Sequence, residues 1–214
     1  MQTITKLEDL KKEFQYLNQS TYNNILHNVK YMDIETTGLS PARNHITLIG
    51  LHSPESTNIY IDKYNHKRAC EDIEACKYLV TFNGNKFDIP FIDKHYGLKQ
   101  EFKSIDLMYL FWQLGYKGGL KKIERALGLS RMKEVAGMDG SEAITLWHRY
   151  KQGDQDSLKR LINYNIEDIV NLEVLFDFVL QRSYGAQPSP SELRQTKANI
   201  MNRIKEKNAL NVWN

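Results

Sequence analysis

From Met32 to Glu35 the chain alternates apolar and polar residues, within the run Val29-Lys30-Tyr31-Met32-Asp33-Ile34-Glu35-Thr36-Thr37-Gly38-Leu39. Side chains on an extended strand repeat every second residue, so Asp33 and Glu35 share one face and Met32 and Ile34 the other. The run reads as a strand closed by a threonine-glycine turn. It is either buried, delivering two acids at its end, or half-exposed at a sheet edge with its polar residues outward. After a turn at Ser40, Pro41 and Arg43, residues 45–51 predict a second strand, and residues 58–61 a third beyond a turn at 53–56. Three strands joined by short turns predict an antiparallel meander. A helix over 71–77 leads into a strand at 78–82, ended by Asn83-Gly84. A further helix begins near Lys86 or Phe87 and stops at Gly97, and 104–107 predicts a fifth strand. From Leu107 onward the periodicity is helical, over 120–127 up to Gly128, over 141–150 and over 156–182. The expected fold is α/β, with a five-stranded mixed sheet of three antiparallel strands plus parallel ones, flanked by helices.

The two ends carry their own patterns. Ile4, Leu7, Leu10, Phe14 and Leu17 recur at spacings of three and four, which predicts an amphipathic helix before a polar break at 18–24. It is expected to pack on its own domain, with docking to a partner as the alternative. Residues 185–191, with Pro188 and Pro190, form a candidate linker. Ser189, Pro190 and Glu192 then match a capping box that opens a basic helix. Leu193, Ile200, Met201 and Ile204 lie on one side of it, and Arg194, Lys197, Arg203, Lys205 and Lys207 elsewhere. A solvated face on a docked helix is preferred there over nucleic-acid contact. The chain thus divides into an N-terminal extension (1–28), a central domain (29–184) and a linker with a basic helix (185–214).

Composition narrows the class. An apolar fraction of 41% over 214 residues is ample for a core, and the net charge of +3 is small. The basic residues crowd between Arg194 and Lys207, which weakly favours an anionic partner. No apolar stretch approaches membrane-spanning length and the start lacks a secretory pattern, so a soluble, cytoplasmic protein without membrane contact is expected. Cys70 and Cys76 give neither a disulfide framework nor a zinc pattern.

Three places carry candidate chemistry. Like charges as close as Asp33 and Glu35 repel unless something positive sits between them, and an oxygen-only pair suits a hard cation such as magnesium or manganese. Asp88 falls near the start of a helix that follows a strand. There it serves as a cap; the positive helix end would otherwise favour an ionised carboxylate at this point, or a bound phosphate nearby. Tyr164 and Asp168 stand four apart, one turn above each other on one helix face, while Glu167 points about 100° away. A phenol beside a carboxylate can hold a water between them, or can pack inward with its hydroxyl bonded to the acid.

The order of these elements resembles a known family. Asp33-Ile34-Glu35-Thr36-Thr37-Gly38-Leu39, Asn83-Gly84-Asn85-Lys86-Phe87-Asp88 and Tyr164-Asn165-Ile166-Glu167-Asp168 resemble the three motifs of DEDD 3′-to-5′ exonucleases with tyrosine in the third, in the ribonuclease H-like superfamily. The nearest likenesses are the proofreading domain of family B DNA polymerases and the YprB-like domain. The likeness covers residues 29–184, including the segment around Ser104-Ile105-Asp106-Leu107, and no palm or finger region follows. It implies that Asp33, Glu35, Asp88 and Asp168 hold two divalent ions, Mg2+ or Mn2+. Asp33 would bridge them, Glu35 and Asp168 would complete the site that activates water, and Asp88 would hold the second ion largely through water. It implies further that Tyr164 orients the attacking water, and that Thr36, Thr37, Leu39, Asn83 and Phe87 contact substrate, with Leu39 against the terminal base. Phe87 could equally be plain core, and Asp106 is expected to bond nearby backbone rather than metal.

The expected activity is removal of nucleoside 5′-monophosphates from the free 3′ end of single-stranded nucleic acid, DNA or RNA, with a protein partner possible through the terminal helices. Two other readings stand beside it. One is a nucleic-acid-binding module with vestigial activity, and the other a structure-selective endonuclease of the same superfamily.

Overall fold

A computed structural model describes residues 2–15, 28–61 and 63–213. The chain runs β1 (Gln2–Ile4), α1 (Leu7–Glu13), β2 (Val29–Thr36), β3 (Ile46–His52), β4 (Thr57–Ile61), α2 (Lys63–Glu74), β5 (Tyr78–Thr81), α3 (Asp88–Tyr96), β6 (Lys103–Asp106), α4 (Leu107–Gln113), α5 (Leu120–Ala126), α6 (Gly140–Lys151), α7 (Gln155–Ser183), α8 (Pro190–Glu206) and β7 (Leu210–Trp213). The strands form one mixed sheet in the order β1-β6-β5-β2-β3-β4-β7. The meander β2-β3-β4 is antiparallel, and β5 and β6 add in parallel on the other side of β2. The five expected strands are present, and the chain ends supply two more. β1 pairs in parallel with β6 and β7 with β4.

The N-terminal helix is shorter than its apolar spacing suggests. Ile4 belongs to β1 and pairs with Ile105, so it is buried by sheet pairing rather than by a helix face, and α1 begins at Leu7. Leu10 and Phe14 are buried as an amphipathic pattern requires, while Leu17 and the polar break at 18–24 lie outside the described residues. The helix expected over 71–77 is α2, which starts earlier and ends at Glu74. α3 stops where glycine ends it, with Gly97 left-handed at φ 70°.

The sheet buries both faces, and β2 shows how. Val29 and Tyr31 pack into the core under α7, while Met32 and Ile34 join a second core with Ile73 and Ala69 of α2 and Phe91 and Ile92 of α3. The period of two therefore turns Asp33 and Glu35 towards the α7 side. α7 is 29 residues long, about 43 Å at 1.5 Å per residue. From Tyr164 to Phe176 every residue is buried. Its buried polar side chains are engaged by partners on both sides. Glu167 accepts from Lys197 Nζ at 2.5 Å and from the Met132 amide at 3.1 Å. Glu173 accepts from His52 Nε2 at 2.6 Å and from Arg203 at 2.8 and 3.0 Å.

These pairs dock the basic helix. Leu193, Ile200 and Ile204 of α8 are buried, the Ser189–Glu192 capping box is formed, and two of its cations face acids of α7. Burial works to raise the Glu173 carboxyl, but the hydrogen bond and charge of His52, with the charge of Arg203, outweigh it and hold the group below its ordinary value of 4.5. A carboxyl lowered on folding stabilises the fold above its unfolded value, and that contribution is lost as pH falls through the folded value. Glu173→Ala is expected to cost about 3 kcal/mol at pH 7, since it strands buried partners. The difference from the parent should shrink below pH 4.5, as measured by urea unfolding at pH 7 and pH 4.

Candidate active site

β5 pairs with β2 only over Val29–Tyr31, so further along β2 its amides face no β5 partner. The Ile34 amide instead donates to Asp88 Oδ1 at 3.1 Å, which fixes the first residue of α3 against the middle strand. The loop before Asp88 is held from below. Asp106, at the end of β6, accepts from the amides of Asn83 at 2.8 Å and Asn85 at 3.4 Å, and caps α4 through the Met108 amide at 3.2 Å. Asp106 therefore bonds backbone, as its position at a strand end suggests.

On the opposite strand, Gly50 of β3 lies directly across from Asp33. The missing side chain makes room for Asn165 of α7, whose Nδ2 donates to Asp33 Oδ2 at 2.9 Å and to the Asp33 carbonyl at 3.2 Å. A Cβ on Gly50 would fall 1.8 Å from Asn165 Oδ1 and 3.2 Å from Ile169 Cδ1. A register shift between Glu35 and Thr36 bends the pair at the same level, a device that re-aims side chains.

Carboxylate oxygens of Asp33, Glu35 and Asp168 come within 4.8 Å of one another. Asp88 lies outside that trio but is buried close enough for its charge to act on Asp33 and Glu35. Burial, then the neighbouring carboxylates, pushes Asp33 well above the ordinary range. Glu35 is also well above it, through burial and Asp168. Burial raises Asp88 to about 7, although the Ile34 amide favours its charged form. Asp168 reaches about 6, burial outweighing the Arg131 charge.

Four residues that carried no motif signal, Arg131, Glu124, Asn171 and Lys121, complete the site. Arg131 donates Nη2 to Asp168 Oδ1 at 2.5 Å and grips Glu124 with Nε and Nη2, both at 2.7 Å. Asn171 supports Glu124 at 2.8 Å. Lys121 Nζ donates to the Tyr164 hydroxyl oxygen at 2.6 Å and also to the Met138 carbonyl. Tyr164 thus bonds Lys121 rather than Asp168, and burial followed by the surrounding acids raises its pKa, so the phenol keeps its proton. A lone arginine or lysine in an irregular segment or on a short helix gives no pattern to read, and only the fold brings these here.

A cleft of about 380 Å3 opens on this cluster, lined by Asp33, Glu35, Thr36, Leu39, Phe87, Tyr164 and Asp168, with Gly140, Ser141 and Ile144 of α6. Leu39 is 84% exposed at its rim. Phe87 both lines the cleft and packs on Phe91, ring centroids 4.9 Å apart. The Thr36 hydroxyl is spent on the Gly38 carbonyl at 2.7 Å. Thr37 faces a neighbouring groove, and Asn83 lines neither space.

The donor set fits a hard divalent cation. Three carboxylates, Glu35 and Asp168 buried and Asp33 half-buried, share one space, each raised first by desolvation, and Glu35 Oε1 is buried without a hydrogen-bond partner. An acidic cluster between a five-stranded core of β-meander plus parallel strands and one long helix defines an RNase H-like fold of the nuclease type. The chain belongs to the RNase H superfamily, whose profile matches residues 30–180.

Solved structures agree at the level of fold. The family B DNA polymerase of Pyrobaculum calidifontis superposes with a TM-score of 0.56 at 15% identity, over 85% of this chain and 29% of that one. This chain therefore spans under a third of the polymerase. Brucella melitensis NrnC bound to pGG gives 0.53 at 17% identity, over 85% and 83% of the two chains, and the same protein is known with bound Mg2+. The Aedes aegypti Nibbler EXO domain gives 0.52 at 12% identity, over 92% and 94%. No curated protein sequence matches the chain. Among the described residues no helix is long and apolar enough to cross a membrane.

Two outcomes follow. Because the folded carboxyls hold protons that the unfolded chain would release, stability without metal should fall as pH rises from about 4 through 7. Mg2+ or Mn2+ should restore it, by roughly 3 kcal/mol at a hundredfold excess over Kd. Thermal unfolding in EDTA and in Mn2+ at pH 7.5 checks this, and an equal rise in Asp33→Ala/Glu35→Ala would place the ion elsewhere. Gly50→Ala should cost about 1–3 kcal/mol by crowding Asn165, read as a lower denaturation midpoint with an unchanged slope.

Proposed function

We propose that this protein is a 3′-to-5′ exonuclease that hydrolyses the terminal phosphodiester of single-stranded DNA, RNA or both and releases nucleoside 5′-monophosphates. The observation that carries the reading is the trio of carboxylates from β2 and α7, two buried and Asp33 half-buried, within 4.8 Å of one another and beside a protonated phenol, on an RNase H superfamily fold. The Mg2+-bound and pGG-bound structures of NrnC and the EXO domain of Nibbler support it by similarity of fold. Asp33, Glu35, Asp88 and Asp168 would hold two divalent ions, Mg2+ or Mn2+, supplying an acidified water and charge stabilisation at phosphorus.

The chain's own groups then define the rest. Lys121 occupies a lone pair of the Tyr164 oxygen, which leaves the phenolic hydrogen to be donated to the attacking water and fix its direction. Asn165 holds Asp33 in place, and the Arg131–Glu124 pair does the same for Asp168. Leu39, Phe87 and Ile144 give the cleft apolar walls for the terminal base, with Thr36 at its edge. As the water oxygen bonds to phosphorus and gives up a proton to solvent, the bond from phosphorus to the 3′ oxygen of the preceding nucleotide breaks, that oxygen takes up a proton as the new 3′ hydroxyl, and the phosphate stays on the 5′ oxygen of the released unit.

Asp33→Ala/Glu35→Ala is expected to abolish nucleotide release. Tyr164→Phe should lower kcat on the order of 10²-fold with KM little changed. The assay is shortening of 5′-labelled DNA and RNA oligomers with Mg2+, Mn2+ or EDTA. A ladder from the 3′ end only with metal, and an intact circular single strand, agree with the proposal. Cutting of the circle would make the enzyme an endonuclease, and binding without turnover would leave a nucleic-acid-binding module.

A further inference from the structure

α6 walls two grooves with one face. Gly140, Ser141 and Ile144 border the acidic cleft, and Trp147, His148 and Lys151 border a second groove of about 760 Å3. Residues 140, 144, 147 and 151 recur at spacings of four, three and four, so they form one stripe along the helix, about 16 Å long at 1.5 Å per residue. The chain links the two spaces a second time, since Thr36 lines the cleft and the adjacent Thr37 lines the groove.

The lining changes character along that stripe. The cleft presents Asp33, Glu35 and Asp168, whereas no described residue lining the groove is acidic. The groove instead carries aromatic rings and cationic or imidazole side chains. Trp147 and Tyr150 are half-buried, with ring centroids 5.3 Å apart, and Lys151 Nζ stands 5.8 Å from the Trp147 ring centre. His148 and Lys151 are exposed, and Tyr96 adds a ring from the end of α3. A basic last turn also suits the negative end of α6, and both rings pack in part on the main core while lining the groove.

We propose that this groove is a second nucleic-acid subsite, which holds the single strand upstream of its 3′ terminus. Bases stack on Trp147 and Tyr150, and Lys151 and His148 meet the phosphates. This rests on the exonuclease reading of the acidic cleft. Stacking faces with positive charge hold single strands irrespective of sequence, because every base offers a π-face. The subsite therefore sets a length preference rather than a sequence preference.

The test is binding of 5′-labelled single-stranded dodecamers and trinucleotides to the full chain carrying Asp33→Ala/Glu35→Ala, followed by fluorescence anisotropy. His148→Glu/Lys151→Glu, at exposed positions, should weaken the dodecamer at least tenfold and leave the trinucleotide within twofold. Trp147→Leu should weaken the dodecamer in the same direction, and Trp147→Phe, which keeps a ring, should recover most of it. Dodecamer affinity unmoved by the charge reversal overturns the subsite and leaves the exonuclease reading intact if the parent chain cuts. Equal losses for both lengths also overturn it, as a general charge effect. A parent chain that neither binds nor cuts any single strand removes the exonuclease reading, and the subsite with it.

Discussion

The structure turns on the cost of burying several carboxylates together. Asp33, Glu35 and Asp168 are pressed between the central strand and the longest helix, with Asp88 held on the Ile34 amide, and burial is the first cause of every upward pKa shift among them. A fold stabilised only by its core would place apolar side chains there, since an uncompensated buried charge is among the most costly features a protein can hold. The surroundings offset that cost in part. Ile34 and Asn165 donate to two of the acids, Arg131 pairs with a third, and Gly50 gives up its side chain so that Asn165 can reach across. What remains uncompensated, Glu35 Oε1 included, is what a bound cation would satisfy.

The rest of the molecule serves the same arrangement. α7 must cross the sheet directly over the end of β2, and its burial on both sides demands that its own polar residues be answered. α8 answers Glu167 and Glu173 with Lys197 and Arg203, so two cations of a stretch whose charge weakly favoured an anionic partner are used inside the fold, on the docked helix that was expected. Both Glu173 and Asp168 are buried carboxylates with arginine partners on one helix. Their carboxyls shift in opposite directions: at Asp168 burial, helped by the charge of Glu124, outweighs Arg131 and Lys121, whereas at Glu173 the His52 and Arg203 contacts outweigh burial. Local charge balance, and not burial alone, decides the direction.

The same balance distinguishes the two grooves that α6 borders. At its start the acids dominate and the site suits a cation. Three turns later aromatic rings and Lys151 dominate and the site suits an anion with flat faces. One short helix can carry both because its stripe of residues advances steadily past two different partners, β2 on one side and the β3 and β4 ends on the other.

Periodicity in the sequence determined the strands, the turns and the face on which Asp33 and Glu35 emerge, because a strand's alternation is a local property of the backbone. It also determined α7, the capping box of α8 and the pairing of Tyr164 with Asp168 on one turn. It could not show that Ile4 and residues 210–213 complete the sheet, because strand pairing is a long-range choice and a three- or four-residue edge has no period of its own. Only the tertiary structure decided that Arg131, Lys121 and Glu124 stand at the acids, that Tyr164 bonds a lysine, and that Thr37 and Asn83 lie apart from the cleft. Their positions follow from loops and packing between segments far apart in the chain, where no local rule relates residue type to place.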